Sequence, residues 1–164
     1  MIFDIIYIID DLFNFITGYF IKNQNEVIDN LWLGNYISSH DINFLNDKKI
    51  ELIINMTKEI EFPNLEINKI RISMNDNFSE VNSKILLESF NNNFQIIDGY
   101  ITNNKGVLIH CRQGMQRSAT FTALYLMKKY KISWIEAKEI IRQKRSIAFF
   151  PFPIFNSILQ NFNT

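Results

Sequence analysis

The spacing of apolar positions changes repeatedly along the chain, and each change marks an element. Residues 50–56 (IELIINM) are a near-continuous apolar run, as expected of a strand covered on both faces. Pro63 and Asn64 mark a turn, after which residues 67–74 set Ile70, Ile72 and Met74 at alternate positions and predict the next strand. Upstream, residues 27–34 read as one short strand stopped by Gly34. Residues 36–46 read as a short helix with Ser38, Ser39 or Asp41 as its cap and His40 on its surface. Residues 81–102 bring Leu86, Phe90, Phe94, Ile97 and Ile101 onto one side of a long amphipathic helix. Residues 106–109 then predict a short strand, and residues 119–130 a mostly apolar helix for the interior. Ser133 and Glu136 form a capping box that opens a helix running to about Arg145. Its Lys138, Arg142, Lys144 and Arg145 predict a solvated polar face, with a docking patch for an anionic substrate as the alternative. Residues 149–153 (FFPFP) break the chain, and residues 154–162 predict a last helix. Strands alternating with helices predict an α/β domain. Its sheet should have about four or five mostly parallel strands, with helices on both faces.

Residues 1–21 are strongly apolar, with Ile2, Ile5, Ile6, Ile9, Phe13, Ile16 and Phe20 at helical spacing. They carry neither the basic start nor the small-residue cleavage site of a secretory leader. Asp4, Asp10 and Asp11 interrupt the run, which argues against stable membrane insertion. Three readings stay open: a helix packed on the domain's own core, a homodimer surface, or a helix lying on a membrane. The last lacks the basic face expected of it, so self-association is the favoured of the two sharper readings.

Composition narrows the function. A length of 164 residues suits one domain, and 47% apolar residues can supply its core. Seventeen basic residues balance seventeen acidic ones. No global positive field therefore advertises nucleic acid or an anionic membrane. A single cysteine excludes an internal disulfide and suggests a reducing, intracellular compartment. Abundant Asn, Ile, Lys and Phe are the mark of an A/T-rich genome, as in parasites and large viruses. For a viral chain the expected place is the host cytoplasm or the virion.

That cysteine sits in the stretch VLIHCRQGMQRS, residues 107–118, between a predicted strand and a predicted helix. Strand, tight loop and helix N-terminus bring backbone N–H groups and the positive end of a helix dipole to one point, which suits an anion. The same groups stabilise a thiolate. Arg117 adds a fixed charge and a planar fork that matches two phosphate oxygens. A buried, inert Cys111 is the bland alternative, but such a cysteine needs neither Gly114 nor Arg117. The chain has no metal-ligand cluster, and no cofactor is expected.

The pattern His110-Cys111-x-x-Gly114-x-x-Arg117-Ser118 resembles the signature of the cysteine-dependent protein phosphatases, most closely the small dual-specificity type. The resemblance extends over residues 27–162. It includes Leu31-Trp32-Leu33-Gly34, the run 50–56, and Phe155 with Leu159 after a proline. It implies a phosphotyrosine-phosphatase-like fold, with residues 1–25 as an N-terminal helical extension and 26–164 as the catalytic domain. It implies Cys111 as nucleophile and Arg117 as the binder of equatorial phosphate oxygens. Asp76, 35 residues before the cysteine, is the implied general acid, with Glu80 a weaker rival. Ser118 is implied to hydrogen-bond the sulfur, and His110 to order the loop through hydrogen bonds. Arg112, Gln113, Gly114, Met115 and Gln116 are implied to line the phosphate site.

The implied substrates are phosphoserine, phosphothreonine and phosphotyrosine in proteins. Arg112, directly after the cysteine, keeps phosphoinositides open. An RNA 5′-phosphatase remains another alternative, against which neutral charge counts, so no nucleic-acid partner is expected. A silent phospho-binding module is the non-enzymatic alternative, although such modules usually lose the cysteine or the arginine.

Overall fold

Five strands form one sheet in the computed structural model, which describes residues 22–77 and 79–162. They are β1 (Gln24–Ile28), β2 (Leu31–Gly34), β3 (Ile50–Asn55), β4 (Asn68–Arg71) and β5 (Gly106–His110). Their spatial order is β1-β2-β5-β3-β4. β2, β5, β3 and β4 run parallel, and β1 pairs antiparallel with β2. The order places β5 at the centre, and its sequence GVLIH is buried throughout. A strand covered on both faces shows no alternation, which is why its pattern is an unbroken apolar run. Asn68, at the start of edge strand β4, and its neighbour Lys69 are exposed.

Helices cover both faces, as the pattern predicts. On one side, α1 (Ile42–Asp47) supplies Phe44 and Leu45, which pack with Ile50, Ile53 and Leu108. On the other lie α2 (Glu80–Thr102), α3 (Arg117–Tyr130), α4 (Trp134–Lys144) and α5 (Asn156–Asn161) over the larger core. α3 runs through that core: every residue from 117 to 127 is buried. Two of its buried hydroxyls are hydrogen-bonded. Thr122 donates to the Ser118 carbonyl at 2.8 Å, and Tyr125 donates to Asp98 of α2 at 2.9 Å. Phe90 of α2 anchors the α2–α3 contact, its ring edge-on to Phe94, Phe121 and Phe162.

Several boundaries differ from the pattern, each for a local reason. The single strand expected over 27–34 is a hairpin. Asp29 and Asn30 turn the chain, and Asn30 takes the left-handed φ of 64° that asparagine tolerates. The helix expected over 36–46 is split at Asp41. This residue leaves helical geometry to cap α1, accepting from the Phe44 N–H at 3.1 Å. β4 is shorter than the 67–74 pattern, although Ile72 and Met74 beyond it are buried as the alternation expects. α3 begins at Arg117, two residues early. α5 begins only at Asn156, and the Ile154 N–H ahead of it donates to the Gln116 side chain at 3.0 Å. The Ser133–Glu136 capping box forms as expected, and its hydrogen bonds hold the Glu136 carboxyl below the usual range. Residues 1–21, with their apolar stripe, lie outside the described residues. No helix among the described residues is long and apolar enough to cross a membrane.

Candidate active site

The carboxyl ends of β5, β3 and β4 converge on the loop of residues 111–116. His110 ends β5, Cys111 follows, and Arg117 opens α3. Cys111 is buried, and its Sγ accepts from two donors. The Gly114 N–H lies at 3.2 Å and the Ser118 Oγ also at 3.2 Å. Both donors direct a hydrogen at the sulfur, which lies just before the N-terminus of α3. Gly114 is required where it stands. Its φ is +68°, and a Cβ there would meet the Gly34 carbonyl oxygen at 2.5 Å.

The carbonyls of residues 112–116 are all engaged outside the loop. Arg112 O accepts from the Tyr36 N–H at 3.1 Å, and Met115 O from the Phe149 N–H at 2.7 Å. Gln113 O and Gly114 O both accept from Arg145, each at 2.9 Å. Gln116 O accepts from the Thr120 N–H at 2.8 Å within α3. In a trans peptide the N–H points opposite to the carbonyl. Anchoring the carbonyls of residues 112–116 outward therefore turns the N–H groups of residues 113–117 toward the cysteine side.

Arg117 is buried, and its side chain is held from β3 and β4. Nη1 donates to Met56 O at 3.2 Å and Met74 O at 3.1 Å, just past the ends of those strands. Nη2 meets Asp76 Oδ2 at 3.4 Å. Nε, also buried, has no protein partner. Asp76 is two-fifths exposed and sits on the loop between β4 and α2. That loop is fastened by Asn82, a buried residue the sequence did not single out. Its Oδ1 accepts from the Asn75 N–H at 3.3 Å, and its Nδ2 donates to Asn77 O at 3.0 Å and to Asn77 Oδ1. Glu80 lies in the first turn of α2 and is exposed, where it favours the helix dipole.

Cys111, Ser118, Arg117 and Asp76 thus come together, while the other candidates divide. The guanidinium of Arg112 lies over the Tyr36 ring, 5.9 Å from its centroid. Gln116 turns its side chain away from the cysteine. Its Nε2 donates to Phe150 O and Phe152 O, at 2.9 and 3.0 Å, and pins the proline-rich segment. His110 does not order the loop as expected. Both ring nitrogens are buried without a hydrogen-bond partner. Burial drives the ring's pKa down to about 4, and the Cys111 backbone, nearby but outside hydrogen-bond geometry, offsets this only in part. His110 is therefore a neutral packing group. Arg145 corrects the reading of its helix: it is buried, not part of a solvated face with Lys138, Arg142 and Lys144. His40 is exposed, as the sequence reading has it. Among the described residues no three His, Cys, Asp or Glu side chains are grouped to hold a metal.

The family model for the dual specificity phosphatase catalytic domain matches residues 31–164. The chain belongs to the dual-specificity phosphatase family. AMV078 of Amsacta moorei entomopoxvirus is 34% identical over 131 residues, covering 77% of this chain and 78% of that protein. Dual specificity protein phosphatase 1B of Arabidopsis thaliana is 31% identical over 143 residues, 86% of this chain and 82% of its own. Among solved structures, DUSP15 superposes with a TM-score of 0.75 at 29% identity, covering 85% of this chain and 86% of that one. The phosphatase is thus a cysteine-based phosphoric monoester hydrolase with the phosphotyrosine-phosphatase-like fold.

The buried imidazole makes stability depend on pH. The unfolded ring takes up its proton near the ordinary 6.5, whereas the folded ring resists until about 4. The unfolded state binds more protons across that window, so stability falls as pH drops through it. From pH 7 to pH 5 the loss attributable to His110 is about 2 kcal/mol. Urea titrations at the two pH values should show it. His110→Phe should remove most of the difference, and an equal difference in the variant would mean the ring is not the source.

Proposed function

We propose that this phosphatase hydrolyses phosphoserine, phosphothreonine and phosphotyrosine in proteins through a phosphocysteine on Cys111. The observation that carries the reading is the Cys111 sulfur at the base of a loop in which the five carbonyls of residues 112–116 are tied outward. That cradle suits a dianionic phosphoryl group bound by backbone N–H groups. Arg117, fixed through both terminal nitrogens, has its buried Nε still unbonded and completes the cradle. In the first step the Cys111 thiolate attacks phosphorus. The S–P bond forms as the P–O bond to the leaving group breaks, and Asp76 gives its proton to the departing oxygen. In the second, Asp76 takes a proton from water, whose oxygen attacks phosphorus. The S–P bond breaks, and inorganic phosphate and the thiolate are released. The Ser118 hydroxyl, already 3.2 Å from the sulfur, stabilises that leaving thiolate. The backbone of residues 112–116 lines the phosphate, and for Gln116 only the backbone serves. His110 supports the loop by packing.

We also propose the cytoplasm, or a virion for a viral chain, as the place of action, since a thiolate nucleophile needs a reducing medium. The division into an extension over residues 1–25 and a catalytic domain over 26–164 belongs to the same proposal, as does a homodimer formed through residues 1–21. The recurring isoleucines and phenylalanines of that segment support it.

The test is phosphate release from one peptide carrying both phosphothreonine and phosphotyrosine. Wild type should release both, Cys111→Ser neither, and Asp76→Asn should lose about 10²- to 10⁴-fold in kcat. No release by folded wild type would overturn the protein-substrate reading and direct the assay to phosphoinositides and RNA 5′ ends. Gel filtration of a chain starting at Lys22 tests the dimer: it should elute as a monomer, and a dimer of unchanged size would refute the interface.

A further inference from the structure

Arg145 follows the last turn of α4 and is among the largest fully buried side chains. Its guanidinium makes four hydrogen bonds, all to neutral oxygens. Nε donates to Gly114 O at 2.9 Å and Nη2 to Gln113 O at 2.9 Å. Nη1 donates to Lys22 O at 2.8 Å and to Asn25 Oδ1 at 2.9 Å. Among the described residues no carboxylate pairs with it. A buried cation bonded only to neutral groups keeps its charge unneutralised, and that charge acts over a distance in a low-dielectric interior. Burial lowers its pKa to about 10, and the interaction with Cys111 opposes that lowering, so it remains a cation at neutral pH.

Two consequences meet at one place. The planar fork puts one N–H on each carbonyl of two successive loop residues, a fixed geometry that a flexible ammonium does not impose. Both carbonyls belong to peptides whose N–H groups, those of Gly114 and Met115, turn toward the cysteine side, and the Gly114 N–H is the one bonded to Sγ. We propose that Arg145 is a positioning residue for the phosphatase reaction: it holds residues 113 and 114 in the anion-binding arrangement and supplies a buried positive charge that favours both the Cys111 thiolate and the bound phosphoryl group. The proposal rests on the reading of Cys111 as nucleophile. The other charged groups around the sulfur are Arg117 from α3, Asp76 from the β4–α2 loop and Arg112 beside it, while His110 is neutral. Arg145 differs from Arg117 in bonding the carbonyl side of the loop, and it is fully buried.

Asn25→Asp separates the charge from the clamp. The side chain keeps its shape, its Oδ1 still accepts from Arg145, and a carboxylate now neutralises the guanidinium. Alkylation of Cys111 by iodoacetamide at pH 6 should slow about fivefold or more. The inhibition constant for inorganic phosphate should rise by a similar factor. The melting temperature should not fall, because the variant gains an ion pair. Arg145→Lys tests the clamp. It keeps a cation but loses the planar fork, so the two carbonyls are no longer held in fixed register and kcat should fall about tenfold or more. Asn25→Asp with unchanged alkylation and unchanged phosphate inhibition would overturn the proposal, even if Arg145→Lys failed to fold. Failure of the underlying reading looks different: wild type would then keep its activity after Cys111 is fully alkylated.

Discussion

The site depends on the outward anchoring of one loop. Five consecutive carbonyls, from Arg112 to Gln116, are hydrogen-bonded by groups outside the loop. Peptide dipoles turned the same way repel one another, and each would gain by flipping. External donors remove that gain, because a flipped peptide would leave a buried donor unpaired at a cost of about 1–3 kcal/mol. The donors come from four parts of the fold: the turn after β2, the end of α4, the segment after it, and the first turn of α3. The cradle is therefore a product of several parts of the domain around the central strand β5.

Charge in the site is arranged with the same economy. Arg117 is buried but not fully compensated. Backbone carbonyls at the ends of β3 and β4 take one nitrogen, and the half-exposed Asp76 takes another at 3.4 Å. Arg145 is buried without any carboxylate, and its four acceptors are neutral. Holding two guanidinium groups out of water without full neutralisation disfavours the folded state. The arrangement is understandable if anionic sulfur and phosphate complete it. Neutral His110 fits the same field, since burial and neighbouring cations both oppose its protonation.

Much of this was legible in the residues. The central strand, the buried helix after it, the capping box and the constellation of Cys111, Arg117 and Ser118 follow from local patterns: apolar runs, side-chain caps and a fixed spacing around one cysteine. Asp76 was reachable only through the family resemblance, because a lone aspartate in a polar loop also reads as a helix cap. What stayed hidden depends on tertiary partners. Arg145 shares a basic stretch with Arg142 and Lys144, both exposed, and nothing in helical spacing separates a buried arginine from a solvated one. Its burial follows from loop carbonyls more than thirty residues distant in sequence, which no periodicity encodes. Asn82, inside a helix, gives no sign that it fastens the Asp76 loop. The β1–β2 hairpin was concealed because the Asp29-Asn30 turn interrupts an apolar stretch too short to read as two strands.

The central claim is that the anchored loop makes Cys111 a nucleophile toward phosphorus, and the most direct measurement is to trap the phosphorylated enzyme. Asp76→Asn, which lacks the group that activates water in the second step, would be mixed with phosphopeptide, quenched in acid and examined by peptide mass spectrometry. The account predicts a phosphoryl adduct on Cys111 that disappears in the Cys111→Ser double variant. A phosphoryl group found instead on His110 or any other residue, or turnover with no adduct at Cys111, would contradict it.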